Sequence, residues 1–225
     1  QITADVLAWS LFSVWVMGRF GTNAMAANTF MIRYMVLSFM PAFGISTAVT
    51  ALVGRYIGRG EPDVAVRRAN LGFVLTAVYM VSCGVLFFLG RNVLIRLFTH
   101  DPEVLRTGAM LLVFAAVYQF FDALYITYNG ALRGAGDTLV PAIATGVLCW
   151  GITVFGGYLL ATFYPTFGPA GPWAAATFYG VVLGLFIYVR FRRGRWRSIR
   201  LGEEPGSERA LASVKGIEQI EQPSV

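Results

Sequence analysis

The sequence predicts an all-α membrane protein with six transmembrane helices, and three observations carry that expectation. Of 225 residues 56% are hydrophobic and 13% charged, with a mean hydropathy of +0.63, whereas an ordinary globular domain is about a quarter charged. The chain divides into about six apolar segments, most of them near or above the ~20 residues a helix needs to cross a bilayer. The arginines border those segments, as membrane loops require. A soluble bundle would need a polar face on every helix, and most of these segments are apolar all round.

The first segment runs from about Ala4 to Met17 and is short. Position 1 is Gln, with no charged leader or small-residue cleavage site before the apolar run, so the chain is expected to continue upstream. The second spans Ala24 to Val53 and contains Pro41, where a backbone donor is missing and a bend is expected. The third covers Ala69 to Leu89. Arg91 to Phe98 then reads as a short amphipathic helix on the membrane surface. The fourth runs from Val104 to Leu132 behind Asp101-Pro102-Glu103, a capping acid, a first-turn proline and a second acid that all suit a positive helix end. The fifth extends from Thr138 to Phe163 with Asp137 as its expected cap, and the sixth from Pro172 to Phe191. Residues 1–200 thus read as one lobe, and the polar stretch 201–225 as a disordered cytoplasmic tail.

Orientation follows from charge. Arg55, Arg59, Arg67, Arg68, Arg133 and the cluster Arg190, Arg192, Arg193, Arg195, Arg197 and Arg200 share one side, against Arg19, Arg91, Arg96 and Arg106 on the other. The richer side is expected to be cytoplasmic, with both termini inside and the protein multi-pass in the inner membrane. Trp15, Tyr164 and Trp173 then fall at the outer boundary, Tyr56 and Trp196 at the inner one.

Several chemistries find no support. The formal charge of +6 is distributed over loops with no basic soluble face, so nucleic acid is not an expected partner. Cys83 and Cys149 lie in apolar runs without CxxC spacing and read as core residues. His100, the single histidine, reads as a surface group. Arg133-Gly134-Ala135-Gly136-Asp137 has no following Lys-Ser or Lys-Thr and is no phosphate loop. With no nucleophile and base pair, the chain is not expected to be an enzyme, and it calls for no resident cofactor.

Three ionisable residues lie within the segments: Asp5, Arg33 and Asp122. A charge at the bilayer centre costs at least about 2.5 kcal/mol, so such groups face the bundle interior and serve a function. At 1.5 Å per residue, Asp5 lies roughly 24 Å inward of Gly21 and Asp122 roughly 26 Å inward of Leu105. Two acids at one depth on separate helices can share a proton or hold a small cation such as Na+, because either relieves their repulsion. That is the physical requirement for ion-coupled transport. Around Asp122, helical spacing gathers Tyr118, Gln119, Tyr125 and Asn129. Near Arg33 stand Phe30, Leu37 and Met40, and near Asp5 stands Trp9. An aromatic and methionine-lined cavity with acids suits flat, lipophilic organic cations, so Arg33, Tyr118, Gln119, Tyr125, Asn129, Met40 and Trp9 are candidate substrate contacts.

An ordered set of motifs resembles the multidrug and toxic compound extrusion (MATE) family. They are Gly18-Arg19-Phe20-Gly21 with Ala26-Ala27-Asn28, Pro41-Ala42-Phe43-Gly44 leading to Val53-Gly54-Arg55-Tyr56-Ile57-Gly58-Arg59-Gly60, Tyr118-Gln119-Phe120-Phe121-Asp122, and Gly130-Ala131-Leu132-Arg133-Gly134-Ala135-Gly136-Asp137-Thr138 with Pro141. The resemblance covers residues 1 to about 200, and the order and spacing of the motifs match the family's seventh through tenth helices. It implies one six-helix lobe of a twelve-helix transporter, the carboxyl-terminal half, with an amino-terminal lobe as partner. It further implies export of organic cations in exchange for Na+ or H+ by alternating access. Asp122 matches the family's acid in its tenth helix and Asp5 that of the seventh, which is often Glu. Two other readings remain at this point: a flippase for lipid-linked oligosaccharide on a related scaffold, which would want a more cationic cavity than Arg33 alone provides, and a six-helix channel or membrane scaffold.

Overall fold

The computed structural model describes the backbone of residues 2–198 and side chains from 6 to 197; the tail expected over 201–225 lies outside the described residues. Every regular element among the described residues is helical. Helix α1 (Ile2–Leu11) passes into a π-helical turn, Phe12–Val16, and a 3-10 turn, Met17–Phe20. Gly21 then takes φ 86°, a value that glycine alone adopts cheaply, and α2 (Gly21–Gly58) begins. The chain reverses there. Asn28 Nδ2 donates to Ser13 Oγ at 3.3 Å across 15 residues, which a straight helix would hold roughly 22 Å apart.

Next come α3 (Pro62–Arg96) and α4 (Pro102–Gly134). Helix α5 (Leu139–Leu148), a π-helical stretch Cys149–Gly156 and α6 (Gly157–Phe163) form one rod of 25 residues, and α7 (Ala170–Arg192) follows; among the described residues five stretches are long and apolar enough to cross a membrane, the first of them, Val6–Gly58, containing the Gly21 turn. Helices α2, α3 and α4 have 38, 35 and 33 residues and overrun the predicted segments at both ends. Apolar composition marks only the stretch inside hydrocarbon, while the helices continue into the headgroup region.

Three local expectations are corrected. Arg91 to Phe98 is no separate surface helix, because α3 continues to Arg96 and buries Ile95 completely. Ile95 lies on Gly108 of α4, where a Cβ would come within 2.9 Å of its Cδ1. Asp137 does not cap α5; its carboxylate accepts from Arg190 Nε and Nη2 at 2.7 and 2.8 Å, a charge-assisted fork that outcompetes a cap. Trp173 and Trp196 are 0% and 1% exposed, not boundary residues. Their indole N–H groups donate to Asn28 Oδ1 and the Phe191 carbonyl at 3.0 and 2.8 Å, which makes burial affordable. Trp15 and Tyr164 do stay at the surface, and Asp101 Oδ1 caps α4 through the Glu103 and Val104 amides as expected.

Helix α4 is the central rod. It runs parallel to α2 in a register that holds over some 30 residues of each helix: Asn23 meets Glu103, Ser46 Oγ donates to the Ile126 carbonyl, and Thr50 Oγ1 donates to the Gly130 carbonyl, each pair 80 positions apart. Gln119 Nε2 donates to Ser38 Oγ at a separation of 81. Small residues let these backbones approach closely; a Cβ on Gly134 would collide with the Thr50 carbonyl and one on Gly130 with Ser46. Helix α3 lies antiparallel on another face, with Gly84 against the Ala116 carbonyl and Tyr128 Oη donating to Asn70 Oδ1 at 3.0 Å. On a third face α7 brings Gly180 against the Tyr118 ring and Gly184 against the Phe121 backbone.

The outside is apolar. Leu71, Val74, Leu75, Val78, Val85, Leu86 and Leu89 of α3 are each more than half exposed, a belt that water would not tolerate and hydrocarbon solvates.

Candidate functional site

One strip of α4 borders its contacts with α2, α3 and α7, the Tyr118 ring itself lying against Gly180 of α7. That strip carries Tyr118, Asp122, Tyr125 and Asn129, which share a face by their spacing of four, three and four residues. Asp122 is 9% exposed. Among the described residues no hydrogen-bond donor and no cation pairs with its carboxylate.

One end of the strip is sealed. Trp9 packs on Tyr118 with centroids 6.5 Å apart, on Phe12 at 5.7 Å and on Trp173 at 6.0 Å, and Phe12 meets Trp173 edge to face at 5.5 Å. Behind this cluster, Asn28 ties Trp173 to Ser13. Toward the other end of α4, Tyr125 and Asn129 are half-buried.

The Trp9–Tyr118 contact also fixes the register of α1 against α4. The two helices run in opposite directions, for Asn23 next to the Gly21 turn bonds Glu103 at the start of α4. Asp5 precedes Trp9 by four residues and Asp122 follows Tyr118 by four, so each lies about one turn, ~6 Å, further along in the same direction. The Asp5 side chain lies outside the described residues.

Of the other candidates, Trp9, Tyr118, Tyr125 and Asn129 join the strip or its seal. Gln119 does not line the strip: it is 1% exposed and spent on Ser38. Arg33 and Met40 are not brought near Asp122, because they sit on the exposed face of α2, turned away from α4 together with Leu37. Apolar spacing on the second segment revealed a face but not which way it would point. Phe12, Asn28 and Trp173 were missed; the available signal was a Trp9-Phe12 pair at helical spacing and an amide inside an apolar run.

The MatE family model matches residues 5–159, more than half of the chain. The chain belongs to the MatE family. Among curated relatives it is 34% identical over 176 residues to the probable multidrug resistance protein NorM of Thermotoga maritima, an alignment covering 78% of this chain and 38% of that one. It is 35% identical over 218 residues to the multidrug resistance protein PmpM of Pseudomonas aeruginosa, covering 92% and 45% respectively. The MatE chain thus spans less than half the length of these relatives. Its fold is that of a eukaryotic MATE transporter, AtDTX14, with a TM-score of 0.75 at 20% identity over 85% of this chain and 43% of that one. A MOP superfamily transporter from Pyrococcus furiosus matches equally, with a TM-score of 0.75 at 20% identity over 89% and 44%. These likenesses show the family and, over the part covered, the all-helical fold of the two solved structures.

Proposed function

We propose that this chain supplies one six-helix lobe of an antiporter that exports organic cations in exchange for Na+ or H+, with Asp122 as the coupling carboxylate. The observation that carries the reading is a buried carboxylate without a protein donor among the described residues, beneath an aromatic seal. A bare carboxylate in that position is unfavourable until a proton or a small cation neutralises it. The half-buried Tyr125 and Asn129 carry oxygen atoms on the same face of α4, and Asp5 is the second carboxylate expected to share the ion. The names of the relatives, multidrug resistance proteins, agree with this reading.

In the complete transporter the exposed α2 stripe of Arg33, Leu37 and Met40 faces the space shared with the amino-terminal lobe and the organic substrate. The arginine-rich ends of α2 and α7, and with them the Arg133 end of α4, face the cytoplasm of the inner membrane. The two lobes rock about the central cavity, so that binding of the ion and binding of drug exclude one another.

The test is efflux of ethidium from energised vesicles carrying the full-length protein. Asp122→Asn is expected to abolish ion-driven efflux while membrane insertion stays normal, and imposing a Na+ gradient or a pH gradient separately identifies the ion. Undiminished efflux by the Asn variant removes Asp122 from the mechanism.

A further inference from the structure

The turn between α2 and α3 gathers positive charge around one aromatic ring, apart from the Asp122 strip. Gly60 takes φ 75°; its N–H donates to the Ile57 carbonyl at 2.9 Å, and the Glu61 N–H donates to the Tyr56 carbonyl at 2.9 Å. Two such bonds about a left-handed glycine close a helix and fix the direction in which the chain leaves it. Pro62 then opens α3, so the last turn of α2 and the first turns of α3 are held side by side. Tyr56, half-buried, packs on the core that contains Val53, Ala65, Ala69 and Leu132.

The guanidinium carbons of Arg59, at the end of α2, and Arg68, in the second turn of α3, each lie 5.9 Å from the centroid of the Tyr56 ring. Both arginines are exposed, and among the described residues no carboxylate pairs with either. Of the acids in the turn, Asp63 is engaged by Arg197 at 3.0 Å, which leaves Glu61 against Arg55, Arg59, Arg67 and Arg68. A guanidinium on a ring face keeps its in-plane N–H donors. Two like charges beside one ring repel, and an anion shared between them turns that repulsion into attraction. The face of α3 that begins at Arg68 continues through Leu71, Leu75 and Val78 at helical spacing, and these three are each more than half exposed. From Arg68 to Val78 is a rise of roughly 15 Å, matching the hydrocarbon thickness of one leaflet, about 15 Å.

We infer that this site binds one anionic phospholipid, its phosphate held by Arg59 and Arg68 beside the Tyr56 ring and an acyl chain along Leu71, Leu75 and Val78. The paired guanidiniums select the charge of the headgroup. The apolar stripe continuing from Arg68 selects a lipid over a soluble anion. The inference needs only that α2 and α3 span the membrane, so it stands or falls apart from the antiport reading.

Native mass spectrometry of the purified full-length protein, offered phosphatidylglycerol and phosphatidylcholine of identical acyl chains in equal amounts, tests it. Preferential retention of one phosphatidylglycerol is expected. Arg59→Gln and Arg68→Gln should each weaken that retention about fivefold, near the effect of one arginine at a membrane surface. Tyr56→Leu keeps both charges and the apolar packing but removes the ring face, and should weaken it about twofold or more. Leu71→Ser with Leu75→Ser should also weaken it although both arginines remain. Arg67→Gln, the same loss of charge away from the ring, and Arg96→Gln at the other end of α3 should leave it nearly unchanged. Equal retention of the two lipids overturns the proposal, as does retention unaffected by the Arg59, Arg68, Tyr56 or paired leucine variants. A loss from Arg67→Gln as large as that from Arg68→Gln overturns it by showing a diffuse basic surface, and displacement of the lipid by millimolar inorganic phosphate overturns it by showing a free-anion site.

Discussion

Among the described residues Thr127 Oγ1 and Thr153 Oγ1 have no hydrogen-bond partner although fully buried, whereas Asn28, equally buried, uses both ends of its amide. The same act, removing a polar atom, therefore has opposite signs at these sites. Thr127→Val and Thr153→Val delete an unpaired hydroxyl at nearly constant volume and should be neutral or stabilising by up to about 1 kcal/mol. Asn28→Leu leaves the Trp173 N–H unpaired in an apolar surround and should cost about 1–2 kcal/mol at the scale measured for bonds between membrane helices. Thermal unfolding in detergent, read by tryptophan fluorescence, checks both; a stabilised Asn28 variant would contradict the assigned network. Residues whose role is set by near neighbours were legible in advance: Asp101 caps α4 because its partners are two and three positions away. Asp137 has the same local look, yet its partner Arg190 lies 53 positions on, and no local rule could show that.

Between elements, the contact that decides the architecture is the seam of α2 with α4. Ser46, Thr50 and Gly54 face Gly130 and Gly134, and hydroxyl groups on α2 bond carbonyls on α4. Hydrophobic force is absent between helices in lipid, so close backbone approach and these bonds hold the pair. Gly134→Ala and Gly130→Ala must push the rods apart, since backbone or a bonded hydroxyl occupies the space of the new methyl group. Each should lower stability by about 1–3 kcal/mol, the usual cost of overpacking. Gly146→Ala, where nothing lies within 4 Å, should be harmless or slightly stabilising through helix propensity. Comparing melting temperatures of the three variants tests the seam. The sequence announced six apolar rods but not this pairing, because small residues carry no hydrophobic period and a parallel register arises only when distant segments meet. The π-helical stretch Cys149–Gly156 was equally silent; its composition is that of any apolar helix.

Across the whole molecule, the proposed mechanism has Asp122 reached from the end of the α4 strip that is less buried. Trp9, Phe12, Tyr118 and Trp173 close it on the side of the Gly21 turn, while Tyr125 and Asn129 are half-buried on the side where α4 ends. A single cysteine should report this in a background where Cys83 and Cys149 are replaced by alanine. Asn129→Cys should react with a membrane-impermeant thiol reagent applied to inside-out vesicles, because the Arg133 end of α4 lies on the cytoplasmic face in the proposed orientation. Phe12→Cys should resist the reagent from either side, since its position is 0% exposed behind the aromatic seal. Reaction of Asn129→Cys from the outside alone would reverse the orientation. Ready reaction of Phe12→Cys would show that the seal is open. Adding the coupling ion or a drug and repeating the measurement then asks whether the seal yields during turnover: alternation requires that protection at position 12 fall as protection at position 129 rises. A lobe that never exchanges these protections could not carry an ion across the membrane by alternating access, whatever its carboxylates bind.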